Sequence, residues 1–137
     1  MSKSAYYLGV DIGTTSTKAV LFSNNGEVVS MHHETYPLYS PTPQVAEQDP
    51  DEIYIACKKA IAGAIQKGHI DKDALRLVSF SAAMHSIIAI DVNGKPLTKS
   101  ITWADSRATT WAEKISTDLN GHEIYRRTGT PIHPMSP

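Results

Sequence analysis

The sequence has few cysteines and little net charge. Cys57 is the one cysteine among 137 residues, so no disulfide can form within the chain, and a reducing compartment such as the cytoplasm is favoured. The formal net charge of −1 offers no general attraction to nucleic acid or to an anionic membrane. No apolar run approaches the roughly 18–20 residues needed to cross a bilayer, and the N-terminus shows no cleavable leader pattern.

Several catalytic and metal-binding motifs are also absent. The chain has no G-x-G-x-x-G, no G-x-x-x-x-G-K-[ST] and no G-x-S-x-G, which argues against a dinucleotide-binding domain, a Walker-type nucleotidase and an α/β-hydrolase. A Ser-His-Asp triad built without that last motif stays open. The histidines form no H-x-x-x-H pattern, and His32 and His33 should point to opposite faces of a strand.

What the sequence does contain is an ordinary globular composition with interleaved strands and helices. Hydrophobic residues make up 41% and charged residues 20%, which suits one hydrophobic core. The element order βββαβββα predicts an α/β fold with a mixed sheet that starts as an antiparallel meander. Strands are predicted at residues 6–12, 17–22, 27–35, 75–83, 86–92 and 99–103, helices at 49–68 and 105–120, and a short helical turn at 122–127.

Four further predictions concern the surroundings of these elements. The proline-rich residues 36–43 should form an extended surface connector. Cys57 lies on the apolar face of the first helix, so we expect a small buried hydrophobic residue rather than a nucleophile. Trp111 lies on the apolar face of the second helix and should belong to the core. Asp105 or Ser106 should cap the start of that helix.

The segment from Asp11 to Lys18 carries the first candidate site. Asp11 ends a buried strand, where a charge is costly unless it meets a metal, water or donors. Gly13 permits close backbone approach, and the hydroxyls and N–H groups of residues 14–16 suit phosphate oxygens. Lys18 adds a positive charge. From these residues alone, a phosphate-binding loop and a plain hairpin turn are equally supported.

Two more candidate segments follow predicted strands. Met84 and His85 stand at a strand end, where ligands collect in α/β sheets, although a single histidine there is more often structural. Trp103 offers a face that suits the C–H surface of a sugar. Asp105 and Arg107 could pair with each other, and Arg107 could instead hold an anion.

Taken in order, these segments resemble the FGGY carbohydrate kinases, a family in the sugar kinase, Hsp70 and actin superfamily. Asp11–Lys18 is similar to the family's first phosphate motif, and Val45–Pro50 to its acidic turn before the first long helix. Met84-His85 is similar to the Met-His pair that touches the sugar in xylulokinase-like members. Ile101–Arg107 is similar to the W-x-D-x-R segment, and Thr128–Pro137 to the corresponding segment of gluconate-phosphorylating members.

The resemblance implies a ribonuclease H-like fold and a role for each matched residue of the phosphate motif. Asp11 would hold Mg²⁺ near the transferring phosphate, through water. Gly13, Thr14 and Thr15 would form the hairpin that faces the phosphates of ATP. Lys18 would supply the basic side chain that other members carry there.

The resemblance also implies a sugar site. The residues that would line it are Met84, His85, Trp103 and Asp105. For Asp105 a role in holding the loop is the favoured alternative to substrate contact, as it is for Arg107. His133 and Met135 would shape the pocket and select gluconate.

For the molecule as a whole, the resemblance implies that residues 1–137 are a partial N-terminal domain, with the general base and the adenosine site lying elsewhere. The expected activity is transfer of a phosphoryl group from MgATP to gluconate, giving 6-phosphogluconate, in the cytoplasm, and the residues present would be inactive alone. A xylulokinase, another sugar or polyol kinase, and a non-catalytic actin-like module that binds nucleotide or a partner are the alternatives. No nucleic acid or membrane partner is expected, and a homodimer stays open.

Overall fold

A computed structural model describes residues 5–135, which form two compact units. The first unit contains the chain up to Pro37 together with Asp51–Ala83, and the second contains Leu38–Pro50 together with the chain from Met84. The strands are β1 (Tyr6–Ile12), β2 (Ser16–Ser23), β3 (Val28–Thr35), β4 (Glu47–Gln48), β5 (Leu75–Ala82) and β6 (Ser100–Ile101). The helices are α1 (Pro50–Lys67), α2 (Thr109–Asp118) and α3 (Gly121–Thr128), with a short 3₁₀ turn at Lys72–Ala74.

The first unit is a mixed four-stranded sheet in the order β3-β2-β1-β5. The predicted meander is confirmed, since β1 pairs antiparallel with β2 and β2 pairs antiparallel with β3. Strand β5 pairs parallel with β1, which places the ends of these two strands, Ile12 and Ala82, side by side. Parallel pairing requires a long crossover, and α1 supplies it.

Helix α1 packs its alanine face on one side of this sheet. Ala60 and Ala64 are fully buried and form the core cluster with four sheet residues, which are Leu8, Val10, Ala19 and Leu21. The helix begins at Pro50, as its N-terminal signature predicts, and Gly68 ends it by donating its N–H to the carbonyl of Ala64. Cys57 is half-buried rather than fully buried; it packs against the core, and burial raises the pKa of its thiol.

The second unit contains less regular structure than predicted. Residues 86–92 are not a strand: Ile87 bridges to Ile101, and Ile90 bridges to Pro96, as isolated pairs. Strand β6 is shorter than predicted and pairs with β4, a two-residue strand that the sequence did not indicate. The predicted strand at 86–92 is thus replaced by single bridges, and the pairing of the predicted strand at 99–103 is limited to two residues.

The two last helices also differ in detail from expectation. Helix α2 starts at Thr109 after Ala108, with no side-chain cap, so the prediction that Asp105 or Ser106 caps it is wrong. Trp111 is 65% exposed rather than part of a core within the described residues. The predicted short helical turn is helix α3, which Gly129 ends in the left-handed conformation at φ 71°. Within residues 5–135, no helix is long and apolar enough to span a membrane.

Candidate functional site

The hairpin between β1 and β2 forms the candidate phosphate loop in the first unit. Gly13 donates its N–H to the carbonyl of Ser16 at 2.9 Å, which closes the turn. A Cβ at Gly13 would lie 3.2 Å from that same carbonyl oxygen, so a larger residue would crowd the turn. Thr14 is half-buried and Thr15 exposed.

Asp11 and Lys18 lie directly opposite each other on β1 and β2. Their neighbours Val10 and Ala19 point into the core, so Asp11 and Lys18 share the other face of the sheet, where both are exposed. The premise that Asp11 is a charge in a buried position is therefore wrong. The two side chains border a shallow depression of about 280 Å³ that continues to Ser81 on β5.

Tyr36, which the sequence placed in a surface connector, is instead buried against the hairpin, with 8% of its surface exposed. Its hydroxyl donates to the carbonyl oxygen of Gly13 at 2.6 Å and lies 3.4 Å from Oγ1 of Thr17. Its backbone N–H donates to the carbonyl of Thr15 at 3.2 Å. The proline that follows Tyr36 made the whole segment look like a loop, and no local signal revealed these contacts.

The donor set of the hairpin fits magnesium held largely by water and phosphate. Asp11 is a carboxylate on the exposed face at this end of the sheet, and residues 5–135 contain no group of three or more His, Cys, Asp or Glu side chains that could cage an ion. Mg²⁺ is commonly bound through one or two carboxylates while keeping several waters and taking substrate phosphate oxygens. A single exposed carboxylate beside a lysine therefore suits an ion that arrives with a nucleotide.

The candidate sugar residues lie in the second unit, on two neighbouring segments. Ile87 and Ile101 exchange backbone hydrogen bonds at 3.0 and 2.9 Å, which sets the Met84-His85 segment beside the segment that leads to Trp103. Met84 is 72% exposed and Trp103 40% exposed. His85 has a φ of 61°, in the left-handed region that residues other than glycine rarely adopt.

Asp105 is buried in the same unit and both of its carboxylate oxygens are engaged. Oδ2 accepts the N–H of Ala46 at 2.9 Å, and the guanidinium of Arg107 contacts both oxygens at 2.8–3.0 Å. Arg107 also forms an ion pair with Glu47. Burial alone would raise the pKa of Asp105, but the hydrogen bonds from Arg107 and Ala46 outweigh it and hold that pKa below its ordinary value. The same carboxylates raise the pKa of Arg107.

This network joins the acidic turn, Val45–Pro50, to the segment Ile101–Arg107, which is called the tryptophan segment below. Besides its N–H bond to Asp105, Ala46 accepts at its carbonyl from both the N–H and the Oγ1 of Thr102, at 3.0 and 2.9 Å. Thr102 is 2% exposed and Asp105 4% exposed, so Trp103 lies between two buried anchors. The sequence indicated a pairing of Asp105 with Arg107 but not the partner at Ala46.

The remaining candidate residues lie near the end of the described chain. The exposed His133 accepts the N–H of Met135 at its Nδ1, at 3.1 Å. His133 also borders an open pocket with a volume of about 390 Å³ between α2 and α3. The lining is mostly apolar and includes Trp111. Ser136 and Pro137, the last residues of the segment that resembles gluconate-phosphorylating members, lie outside the described residues.

Solved structures with this fold define the class of protein. A gluconate kinase from Lactobacillus acidophilus matches with a TM-score of 0.89 and 39% identity, over 96% of this chain and 26% of that chain. A ligand-bound xylulose kinase from Lactobacillus acidophilus matches with a TM-score of 0.88 and 39% identity, over 96% of this chain and 26% of that chain. The expected mixed α/β fold of the actin-like sugar kinases is thus confirmed.

Sequence comparison gives the family. The model of the FGGY family of carbohydrate kinases, N-terminal domain, matches residues 6–137, and the chain belongs to this family. A gluconokinase of Bacillus subtilis (strain 168) is 59% identical over 134 residues, which are 98% of this chain and 26% of that protein. A xylulose kinase of Staphylococcus epidermidis is 36% identical over 85% of this chain and 23% of that protein. The chain therefore spans about a quarter of the length of the curated relatives it matches.

Proposed function

We propose that this chain is the phosphate- and sugar-binding part of an ATP-dependent kinase that phosphorylates gluconate to 6-phosphogluconate. The observation that supports gluconate most directly is the 59% identity to a gluconokinase, against 36% to a xylulose kinase. Residues 1–137 would then be a partial N-terminal domain of a cytoplasmic enzyme.

In this proposal the first unit handles the phosphates. The carboxylate of Asp11 would hold Mg²⁺ through water, and bound magnesium would neutralise charge on the phosphate oxygens of ATP. The hairpin of Gly13, Thr14 and Thr15 would face those oxygens, while Lys18 adds a positive charge. These groups act by position and charge, because phosphoryl transfer requires little covalent chemistry from the protein.

The second unit would bind the sugar acid. The face of Trp103 would cover the C–H surface of the carbon chain, and Met84 and His85 would line the pocket, with His85 available for a hydroxyl or the carboxylate. Asp105 would support the pocket from behind, since its oxygens already accept hydrogen bonds from Ala46 and Arg107. The general base that deprotonates the acceptor hydroxyl is assigned to no residue of this chain.

The deciding experiment measures ADP formation by a full-length kinase that contains this chain. Gluconate, xylulose and glycerol are compared as acceptors at equal MgATP. We expect kcat/KM for gluconate to exceed the other two by at least ~100-fold, the scale on which a site built for one set of polar groups rejects a substrate lacking them. The residues described here, purified alone, should give no gluconate-dependent ADP.

A xylulokinase is the second candidate, because the fold matches a xylulose kinase as well as it matches a gluconate kinase. A higher kcat/KM for xylulose than for gluconate in the same assay would favour the xylulokinase. Absence of stimulation by any polyol, sugar or sugar acid would contradict the kinase proposal and leave a non-catalytic nucleotide-binding module.

A further inference from the structure

Tyr36 is joined to the phosphate loop at two points. Its hydroxyl donates to the carbonyl of Gly13 at 2.6 Å, and its backbone N–H donates to the carbonyl of Thr15 at 3.2 Å. The residues bonded by these contacts are the first and third of the three-residue turn between β1 and β2. Tyr36 directly follows β3, so the sheet itself fixes where the tyrosine stands.

The contact to Gly13 also sets a direction for the next N–H group. The carbonyl of Gly13 and the N–H of Thr14 belong to one planar trans peptide, in which the two groups point in opposite directions. A hydroxyl that holds the carbonyl on one side therefore holds the N–H of Thr14 pointing to the other. Gly13 needs such a restraint more than other residues, because its own backbone is the least restricted.

The environment of the hydroxyl keeps it in place as a donor. Tyr36 is 8% exposed and Thr17, its second partner, is fully buried. Burial is the largest influence on the hydroxyl and raises the pKa of Tyr36, and the charge of nearby Asp11 raises it further, against a smaller lowering by the hydrogen bond with Thr17. The phenol therefore stays protonated at neutral pH, as a donor to Gly13 must.

We propose that Tyr36 is a positioning residue for nucleotide phosphates, which orients the backbone of Gly13–Thr15 without touching the nucleotide. The inference rests on the proposed kinase function, because it requires that this hairpin faces the phosphates. Tyr36 makes the loop preorganised, so that binding MgATP does not have to order it.

The test is Tyr36→Phe in the full-length kinase, which removes one oxygen and keeps the ring. We expect KM for MgATP to rise, and kcat/KM for MgATP to fall, by about tenfold, the value of one lost hydrogen bond. KM for gluconate should stay within about twofold, because the sugar residues belong to other segments. Amide hydrogen exchange of residues 13–16 should become faster.

Two further variants complete the test. Tyr54→Phe removes the same atom from a tyrosine that is 62% exposed on α1, and it should change neither the kinetics nor the exchange. Thr17→Val removes the longer 3.4 Å contact while keeping the shape, and it should reproduce the effect of Tyr36→Phe more weakly. It also serves if the phenylalanine variant does not fold.

The outcomes separate the inference from the function beneath it. Unchanged KM for MgATP in a folded, active Tyr36→Phe enzyme overturns the inference and leaves the kinase proposal standing, even if the enzyme is less heat-stable. Unchanged exchange at residues 13–16 overturns it as well, with or without activity. A wild-type enzyme that phosphorylates no acceptor contradicts the proposed function, and the inference fails with it.

Discussion

The guanidinium of Arg107 holds the carboxylate of Asp105, with Nε 3.0 Å from each oxygen and Nη2 2.8 Å from Oδ2. The two residues are only two positions apart, but the pair is anchored to a distant part of the sequence. Asp105 accepts the N–H of Ala46 across 59 residues, and Arg107 reaches Glu47. The pair therefore joins the acidic turn to the tryptophan segment.

The substitution Asp105→Asn should lower the free energy of unfolding by about 2–3 kcal/mol, because it leaves Arg107 without its buried carboxylate partner. The folded-state pKa of Asp105 lies below its ordinary value, so its stabilising contribution is complete at neutral pH and is lost as the pH falls through the folded pKa. Denaturant unfolding at pH 7 and in steps below pH of about 4 measures both effects.

The matched control for Asp105 is Glu123→Gln. Glu123 pairs with Arg126 at 3.7 Å, and both side chains are at least half exposed, so the change should cost less than about 0.5 kcal/mol. If the Asp105→Asn protein is as stable as the wild type at pH 7, the hydrogen bonds and ion pairs of Asp105 do not stabilise the tryptophan segment.

A second prediction concerns Asp11→Asn in the full-length kinase. The substitution removes the negative charge that would attract magnesium and keeps the size of the side chain. Turnover should fall by two or more orders of magnitude, on the scale of other electrostatic contributions to catalysis, with a smaller effect on gluconate binding. Steady-state kinetics and gluconate titration measure the two separately.

Asp73→Asn serves as the control for Asp11, because Asp73 is an exposed carboxylate in the 3₁₀ turn of the same unit. Its turnover should match that of the wild type. Unchanged turnover in Asp11→Asn would remove Asp11 from the phosphate site. A fall in turnover should not reflect misfolding, because Asp11 is exposed in this structure.

How far the sequence predicts this molecule depends on the range of each interaction. The meander was predicted because alternation and the Asn-Gly turn after β2 are local signals, and α1 because its ends carry local signatures. The contacts from Tyr36 to Gly13 and from Asp105 to Ala46 span 23 and 59 residues, and no local pattern encodes them. They are also the contacts that shape the candidate sites.

The errors have a physical cause as well. Helical spacing showed that Trp111 lies on an apolar face, but spacing does not reveal what covers that face, and in the described residues Trp111 is largely exposed. Asp11 was expected to be buried because its strand is apolar, yet one step along a strand reverses the face. The phosphate and sugar roles came from resemblance, and they stay predictions.

A third prediction separates the backbone and the side chain of His85. Its φ of 61° is unfavourable for most side chains, so His85→Gly should raise stability relative to His85→Ala by about 1 kcal/mol. Asn tolerates this conformation and should fall between them. If the imidazole contacts the sugar, all three variants should raise KM for gluconate alike, whatever their stability.

Thermal unfolding and gluconate kinetics on the three His85 variants measure these quantities. Kinetics that follow stability would mean that His85 acts by shaping the turn. If KM for gluconate rises equally in all three variants while their stabilities differ in the expected order, the imidazole ring itself binds the substrate.

A fourth prediction tests the packing of α1 on the edge of the sheet. A Cβ at Gly63 would collide with Cδ2 of His32 on β3, so the ring would have to move. His32 is also held by a hydrogen bond from its Nε2 to Glu34 at 2.9 Å. Gly63→Ala should therefore cost about 1–3 kcal/mol of unfolding free energy, despite the better helix propensity of alanine.

The double variant with His32→Ala decides whether the histidine ring is the cause. Removing the ring makes room for the new methyl group, so Gly63→Ala should become neutral or stabilising by up to about 1 kcal/mol in that background. Urea unfolding of the wild type, both single variants and the double variant gives the coupling energy. A coupling energy near zero would contradict the close contact between Gly63 and His32. It would mean that α1 lies farther from β3 than in this structure. A helix displaced outward by about one ångström could accept the new methyl group without any movement of His32.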